Sequence, residues 1–466
     1  MKLKLISIGP FVKCIAILGL LLIMSCKRDW LDAKPNKSLV VPETLEDYQA
    51  LLDNTTIMNY KQPGLNIISD DNSYLTSIAF QAITKQERSA YIWDDTENFY
   101  DGKSSSDWEE AYKRILYANV VLDGISTLML NSAGRPLYNS IKGSSLFYRS
   151  LDFYNLAQQF CKPYLTTSNS DLGLPLRTSS NVNIKIQRST VENTYSRIID
   201  DLKTSASLLP VKQQYLTRPS KPAAFALLSR VLLSMGHYDE SRKYADSCLY
   251  LFSNLIDYST LNPAAPFPIG KYNDEIIYHC TIASYAAFKN TRLIIDPSFY
   301  QSFTAENNDL RTNIFFTTVA GNKTFKGSYF GSSTFFGGLA TDEIYLNRAE
   351  CLARQGKLTE ALLDLNTLLK SRWKKNTDGT STYVDKIALS KDHTLNLILL
   401  ERRKELCFRG LRWTDLRRLN KETPFMTTIT RSFDGTTYTL LPNSSKYIFP
   451  IDNKEILLGG ILQNPR

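Results

Sequence analysis

Four pairs of neighbouring acids could do chemistry in this chain: Asp70-Asp71, Asp94-Asp95, Asp200-Asp201 and Asp342-Glu343. Paired carboxylates suggest glycoside hydrolysis, but that reaction needs them held ~5–9 Å apart across a sugar ring. Adjacent positions do not supply this separation. Two of the pairs, Asp200-Asp201 and Asp342-Glu343, lie in helical patterns and are expected to be solvated or to cap helix ends. The 3 histidines, His237, His279 and His393, are too scattered for a triad or a histidine metal site. The chain has no HExxH, P-loop, GxSxG or strand-linked GxGxxG motif. Catalytic residues, cofactors and metals are therefore not expected. The block Glu401, Arg402, Arg403, Glu405, Arg409, Arg412, Asp415, Arg417 and Arg418 invites an acid-binding reading. We read it instead as a helix laced by pairs such as Glu401 with Lys404 and Glu405 with Arg409. Trp413 beside it is expected to pack.

What remains is recognition without reaction. Sugar rings present apolar C–H faces and hydroxyls, which suit aromatic platforms beside Asp, Asn and Arg. The chain carries 26 Tyr, 22 Phe and 5 Trp, and two segments mix them with polar groups. The first contains Asp70, Asp71, Asn72, Tyr74, Tyr91, Trp93, Asp94 and Tyr100. The second offers Tyr272, Tyr285, Phe288, Tyr329, Phe330, Phe335 and Phe336. The ligand-binding candidates are Trp93, Tyr91, Tyr74, Asp70, Asp71, Asn72, Tyr272, Tyr285 and Tyr329. Trp93 has two fates, an open platform for a ring or a side chain packed under its own segment. A charge balance of 55 Lys+Arg against 46 Asp+Glu, +9 overall, with no basic block to track phosphates, argues against nucleic-acid binding.

The N-terminus carries an address. Lys2, Lys4 and Lys13 precede or interrupt an apolar segment whose run from Cys14 to Met24 is too short to span a ~30 Å hydrocarbon core. It fits a signal peptide over residues 1–25. Ile23-Met24-Ser25-Cys26 resembles a bacterial lipobox, in which the new N-terminal thiol of Cys26 takes a diacylglycerol. With roughly 0.8 kcal/mol per buried CH₂, two or three acyl chains such as palmitate anchor stably where one does not. The competing reading is an ordinary signal peptide or a short anchor, with Cys26 incidental. Asp29 after Lys27-Arg28 matches an acidic surface-export signal only in part. The remaining cysteines, Cys161, Cys248, Cys280, Cys351 and Cys407, are odd in number and widely spaced, so buried free thiols are expected.

The elements that must position the candidates are mainly α. Ala111, Ile115, Ala118 and Leu122 share one helical face after Trp108. Leu146–Phe160 and Val191–Leu209 read as further helices, the latter closed by Pro210. Short strands are expected at 276–278, 437–441 and 447–450. Two segments resemble each other, AFALLSRVLLSMGHYDESRKYADSCL from Ala224 and IYLNRAECLARQGKLTEALLDLNTLL from Ile344. Each is helix, glycine (Gly236, Gly356), a large apolar residue, an expected N-cap (Asp239, Thr359) and helix, similar to a tetratricopeptide repeat. The expected organisation is a single domain over 26–466. A helical scaffold occupies about 106–250 and 340–420, with ligand-facing loops at about 60–105 and 251–340.

The sequence blocks resemble the SusD/RagB family of outer-membrane lipoproteins nearly end to end. They are WEEAYKRILYANVVLDG (from Trp108), LFYRSLDFYNLAQQF (from Leu146), DLGLPLRT (from Asp171), RSTVENTYSRIIDDLKTSASLLP (from Arg188), RPSKPAAFALLSRVLLSMGHY (from Arg218), DEIYLNRAECLARQGK (from Asp342), LERRKELCFRGLRWTDLRRL (from Leu400) and the ending with Phe449-Pro450-Ile451 and Gln463-Asn464-Pro465. Phe160-Cys161-Lys162-Pro163 stands where the family has Tyr-Gly before its Pro, and Arg409-Gly410 where it has Glu-Gly. The resemblance implies a SusD-like, tetratricopeptide-like fold and non-catalytic capture of glycan or other nutrient oligomers, oligosaccharide or peptide. It also implies delivery to a SusC-like TonB-dependent transporter, from the extracellular side of the outer membrane. The alternative is a lipid-anchored scaffold of the envelope that binds no small ligand.

Overall fold

Local capping chemistry sets the helix boundaries. In the computed structural model, which describes residues 42–129, 131–327 and 329–466, α1 spans Leu45–Leu52 and begins at Thr44. The Thr44 hydroxyl accepts from the Asp47 amide while the Asp47 carboxylate accepts from the Thr44 amide. Ser105 caps α2 (Ser106–Ser126). The helix α3 spans Arg135–Phe160, with Pro136 in its first turn, so it starts eleven residues earlier than its apolar pattern suggests. Thr190 caps α4 (Val191–Leu208), which ends ahead of Pro210. The α2 core face runs through Ala111, Ile115 and Ala118, as read, then continues at Val121 rather than Leu122.

The two similar segments are two helix–turn–helix pairs with one shared geometry. Helices α5 (Lys221–Met235) and α6 (Tyr238–Leu251) flank Gly236, and α7 (Thr341–Arg354) and α8 (Leu358–Lys370) flank Gly356. Both glycines are left-handed, at φ 85 and 80, a region open to glycine at no Cβ penalty. In each turn the residue after glycine donates its amide five residues back, His237 to Leu232 and Lys357 to Leu352. That tight exit corrects the expected caps. One linking residue leads directly into the second helix, so Asp239 and Thr359 already lie in its first turn, and neither helix has a side-chain cap. Asp239 still favours the helix N-terminus through its charge.

Each helix packs on the next, α2 on α3, α3 on α4, and on through α5, α6, α7 and α8, with α9 (Lys391–Glu405) against α7 and α8. The chain between α6 and α7 is an insertion that leaves their contact intact. It is closed at its base by Ile276–Tyr278 pairing with Leu339–Ala340. Gly338 makes this closure possible, because a Cβ there would meet the Tyr278 carbonyl at 2.1 Å. Within the insertion, Phe316–Val319 and Asn322–Phe325 form a hairpin around Ala320-Gly321, both at positive φ, the twist such a two-residue turn needs. Ile294–Ile295 joins this hairpin to Ser73–Tyr74, making one four-stranded antiparallel sheet. Of the expected strands, 276–278 forms and 437–441 forms one residue earlier, at Thr436–Leu440. The 447–450 piece is a 3₁₀ turn at Ser445–Tyr447 followed by extended chain, because it has no strand partner.

Residues Thr44–Arg466 form one compact unit. Cys161, Cys248, Cys280, Cys351 and Cys407 are free and buried, as read. The leader and Cys26 lie outside the described residues. Among the described residues, no helix is long and apolar enough to cross a membrane.

Leu232 and Leu352 sit at the inner faces of the two repeat units and are buried. Leu232→Asp or Leu352→Asp would strand a carboxylate in the core, at several kcal/mol against a total stability of about 5–15 kcal/mol. Circular dichroism should show loss of the cooperative helical transition. A variant melting like wild type would refute the packing described.

Candidate functional site

A cleft of about 1020 Å³ opens in the insertion. Phe288 and Phe335 stack with ring centroids 4.6 Å apart and 30° between planes. Tyr285 meets Phe288 edge-on at 5.5 Å, and Phe325 lies 5.7 Å from Phe335. Ile282, Tyr285, Phe325 and Phe335 are buried and Phe288 is half-exposed, so the aromatic surface is a floor. Polar residues on the lining are Ser284, Lys289, Asn290, Thr291, Thr317, Lys326, Ser333 and Thr334, beside an apolar stretch from Pro263 to Phe267.

The floor is held from beneath. The Tyr285 hydroxyl donates to Asp107 at 2.6 Å, and the same carboxylate accepts from the amides of Gly64 and Leu65 and from Gln159. Burial pushes the Asp107 carboxyl up, and Tyr285 lies well above the ordinary phenol range for the same reason, so this ring stays neutral.

The base of the insertion rests on a buried charge network. Arg311 reaches Asp309, Glu401 and Glu405 at 2.7, 2.6 and 3.0 Å. Arg372 joins Glu405 to Glu275, and Lys404 bridges Asp309 and Glu401. Arg409 grips Asp342 at 2.6 Å, and Arg230 grips Glu343. The Tyr329 hydroxyl lies between Glu275 and Asp342. A hydroxyl has one proton to donate, so two ionised carboxylates cannot both be satisfied by it. Burial, reinforced by Asp342 and Glu405 and opposed by Arg372, pushes Glu275 up to about 7. Glu275 therefore shares a proton with this site near neutral pH.

Several sequence expectations change here. Asp342 and Glu343 are fully buried ion-pair partners rather than solvated or capping residues. Asp201 pairs with Arg149, while Asp200 is exposed. Glu401 does pair with Lys404, but Glu405 turns to Arg311 and Arg372 instead of Arg409. The arginine in the Arg409-Gly410 departure is the partner that Asp342 requires. Trp413 packs, stacked 5.9 Å from Phe449.

The first aromatic segment is not an open loop. Residues 66–69, 77–81 and 85–91 are short helices, and the segment is docked onto the C-terminal part of the chain. Trp93 is 1% exposed; its indole N–H donates to the Ser69 carbonyl at 3.0 Å. The Arg431 guanidinium stacks on Tyr91 and Trp93, 3.8 and 4.6 Å from their centroids, and donates to the backbone carbonyls of Tyr91 and Asp70. Arg412 takes Asp71 in a two-pronged pair at 2.6 and 2.7 Å, and Arg403 reaches Asn72. Burial next to Asp71 raises Asp70 to about 7. Burial also works on Asp71, but Arg412 and Arg403 outweigh it and hold Asp71 below the usual carboxylate range. Tyr74 is half-buried in the strand paired with Ile294–Ile295. Trp93 thus takes the packed fate, because a cation from a distant strand needs both rings.

Of the insertion aromatics offered by the sequence, Tyr285, Phe288 and Phe335 reach the cleft, and of the three tyrosine candidates there only Tyr285 does. Tyr329 is buried in the charge network. Tyr272 is 46% exposed in a left-handed conformation and lines a separate hollow of about 490 Å³ with Asp53, Tyr215 and Thr217. The lysines and small polar residues of the lining were missed. For Thr317, Lys326, Ser333 and Thr334 the signal available was the run from Leu310 to Thr341, which contains no acidic residue. Among the described residues, no group of three or more His, Cys, Asp or Glu side chains is arranged to hold a metal.

Two family models match the chain. One, "Starch-binding associating with outer membrane" (SusD-like), covers residues 29–233, and the SusD family model covers 339–466. The chain belongs to the SusD family. A SusD superfamily protein from Bacteroides thetaiotaomicron shares the fold at TM-score 0.72 and 23% identity, over 91% of this chain and 100% of that one. A SusD-like carbohydrate binding protein from Bacteroides vulgatus matches at 0.65 and 20%, over 90% and 97%. A SusD superfamily protein from Bacteroides fragilis matches at 0.68 and 19%, over 89% and 98%. No curated protein matches the sequence. The SusD models bracket residues 234–338 without covering them, and every residue lining the cleft falls in that gap. The sequence models thus match the scaffold and leave the cleft residues unmatched.

Two outcomes check this geometry. Trp93→Ala should cost ~3–5 kcal/mol of stability through lost burial and a cavity, with ligand affinity of the folded fraction unchanged. Paired melting and binding measurements on the one variant would read both. The second concerns pH. Glu275 and Asp70 have folded pKa values raised to about 7, so their stabilisation is full below the unfolded carboxylate range and is lost as pH rises toward 7. Their contribution to the melting temperature should fall between about pH 4 and about pH 7. Glu275→Gln should show a smaller fall. Equal slopes would place the proton elsewhere.

Proposed function

We propose that this protein captures an extracellular glycan in the insertion cleft and presents it to a SusC-like TonB-dependent transporter of the outer membrane. The observation that carries this reading is the cleft itself, a stacked aromatic floor beside hydroxyl-, amide- and ammonium-bearing side chains. Sugar C–H faces lie on such rings while their hydroxyls meet those polar groups, and pockets near this volume take ligands larger than one ring. The described lining carries no Asp or Glu. A hydrolase would need two carboxylates there, so the cleft's chemistry favours binding over cleavage.

The domain plan follows the same logic. The signal peptide occupies 1–25, the scaffold about 106–250 and 340–420, and the ligand region lies within 251–340. Cys26 carries the lipid, which places the protein on the outer membrane with the cleft toward the outside. The family model's outer-membrane description supports this placement.

Two experiments test the reading. Phe288 is partly open, so Phe288→Ala should weaken glycan binding at least tenfold, about 1.4 kcal/mol, with little change in melting temperature. Full binding by the variant would remove the cleft from the site. Cys26→Ala should lose its acyl label and leave the outer-membrane fraction; equal labelling and membrane retention would end the lipoprotein reading.

A further inference from the structure

We propose that the cleft selects anionic saccharides, those bearing uronate carboxylates or sulfate. This rests on the cleft being the glycan site. The described lining holds two ammonium groups, Lys289 and Lys326, and no carboxylate. Neither lysine takes part in an ion pair. Lys326 donates to the backbone carbonyls of Pro263, on the cleft lining, at 2.7 Å and of Asn313 at 2.9 Å, which fixes its position. Carbonyl dipoles satisfy two of its three N–H groups and leave the ammonium without an ionic partner. Partial burial pushes its pKa down, so a nearby anion would favour its charged form.

The contrast with the rest of the molecule sharpens the point. Arg311, Arg372, Arg409, Lys404 and Arg230 each face a carboxylate within 3.1 Å. Arg431 and Arg417 are buried exceptions, held on backbone carbonyls. The cleft lysines are paired by no carboxylate either, but they line an open cleft, and the flanking run Leu310 to Thr341 supplies no acid. A neutral glycan would leave both ammonium groups uncompensated beside an apolar floor. An anionic one would neutralise them while its rings cover Phe288 and Phe335.

The mature chain should be screened on an array of uronate-, sulfate- and sialate-bearing oligosaccharides, each beside its methyl-esterified or desulfated counterpart. Bound glycans should be the acidic forms, at least tenfold tighter than their neutral counterparts, with affinity falling as salt rises. Lys289→Gln and Lys326→Gln should each shrink that difference. Lys289 is exposed, so its variant tests the idea even if Lys326→Gln melts early. Selective binding of neutral glycans, lost in Phe288→Ala, would overturn the anionic proposal and leave glycan capture standing. Binding of no glycan would overturn both.

A second observation stands independently behind the cleft, with Ile282 as the common wall. A polar cavity of about 30 Å³ is lined by Gln62, Tyr154, Gln159, Arg409 and Thr414 among others. Four buried groups on that lining have no hydrogen-bond partner: Gln62 Nε2, Tyr154 Oη, Gln159 Oε1 and Arg409 Nε. The amide orientations are set by neighbours, since Gln62 Oε1 accepts from Asn155 and Gln159 Nε2 donates to Asp107. We infer that this cavity binds internal water, with room for about two molecules. Two N–H donors, one carbonyl acceptor and a hydroxyl that does either match water, whereas the Gln159 oxygen would repel an anion. A high-resolution crystal structure with a bromide soak decides it. Ordered oxygens bonded to these four groups support the site; a dry cavity or a bromide signal there overturns it.

Discussion

Buried opposite charge is the constraint on which this structure depends. The cations of α9 and the turn after it are almost all neutralised by carboxylates from elsewhere in the chain: Arg409 by Asp342, Lys404 by Asp309, and Arg402 by Asp415. Arg372, which follows α8, binds Glu275 at the base of the insertion and Glu405 on α9. Such pairs do not guarantee net stabilisation, because removing two ions from water offsets most of their attraction. Breaking one is another matter, since a lone buried charge costs ~3–5 kcal/mol. The network therefore acts as a specification, making every misplacement of the insertion expensive.

That specification explains how the scaffold holds the cleft. The insertion is tied at its base by a strand pair, by Glu275 and Asp342, and by the Tyr329 hydroxyl between them. Above this base the hairpin Phe316–Val319 and Asn322–Phe325 and the chain around Phe288 and Phe335 need only keep the aromatic floor packed. The polar lining residues can then vary without disturbing the frame. Rigid helices position the loop, and the loop holds the chemistry.

The pH behaviour belongs to the same design. Glu350, gripped by Arg418 and Arg354, is held down to about 2 despite its burial, whereas Glu275 and Asp70 are pushed up to about 7. What differs is the local count of cations against carboxylates, because all three groups are buried. Around Glu275 the acids Asp342 and Glu405 crowd in beside Arg372, and the surplus appears as a retained proton.

The helices and the paired turns at Gly236 and Gly356 were legible in the sequence, because periodicity and a left-handed glycine act within a few residues. The strand at 276–278 and the buried thiols followed from equally local patterns. The charged block was legible as charge but not as pairing, since Asp342 and Glu343 reach Arg409 and Arg230 across 67 and 113 positions. Trp93 shows the limit most clearly. Its polar, aromatic neighbourhood suited an open platform, and only the arrival of Arg431 from a distant hairpin turned that neighbourhood into core. By itself the sequence determined the helical scaffold, the family and the aromatic richness of the insertion, all written in short-range patterns. The tertiary structure decided which aromatics face solvent and which lysines lack a partner, because burial and charge balance are set by residues far apart in the chain.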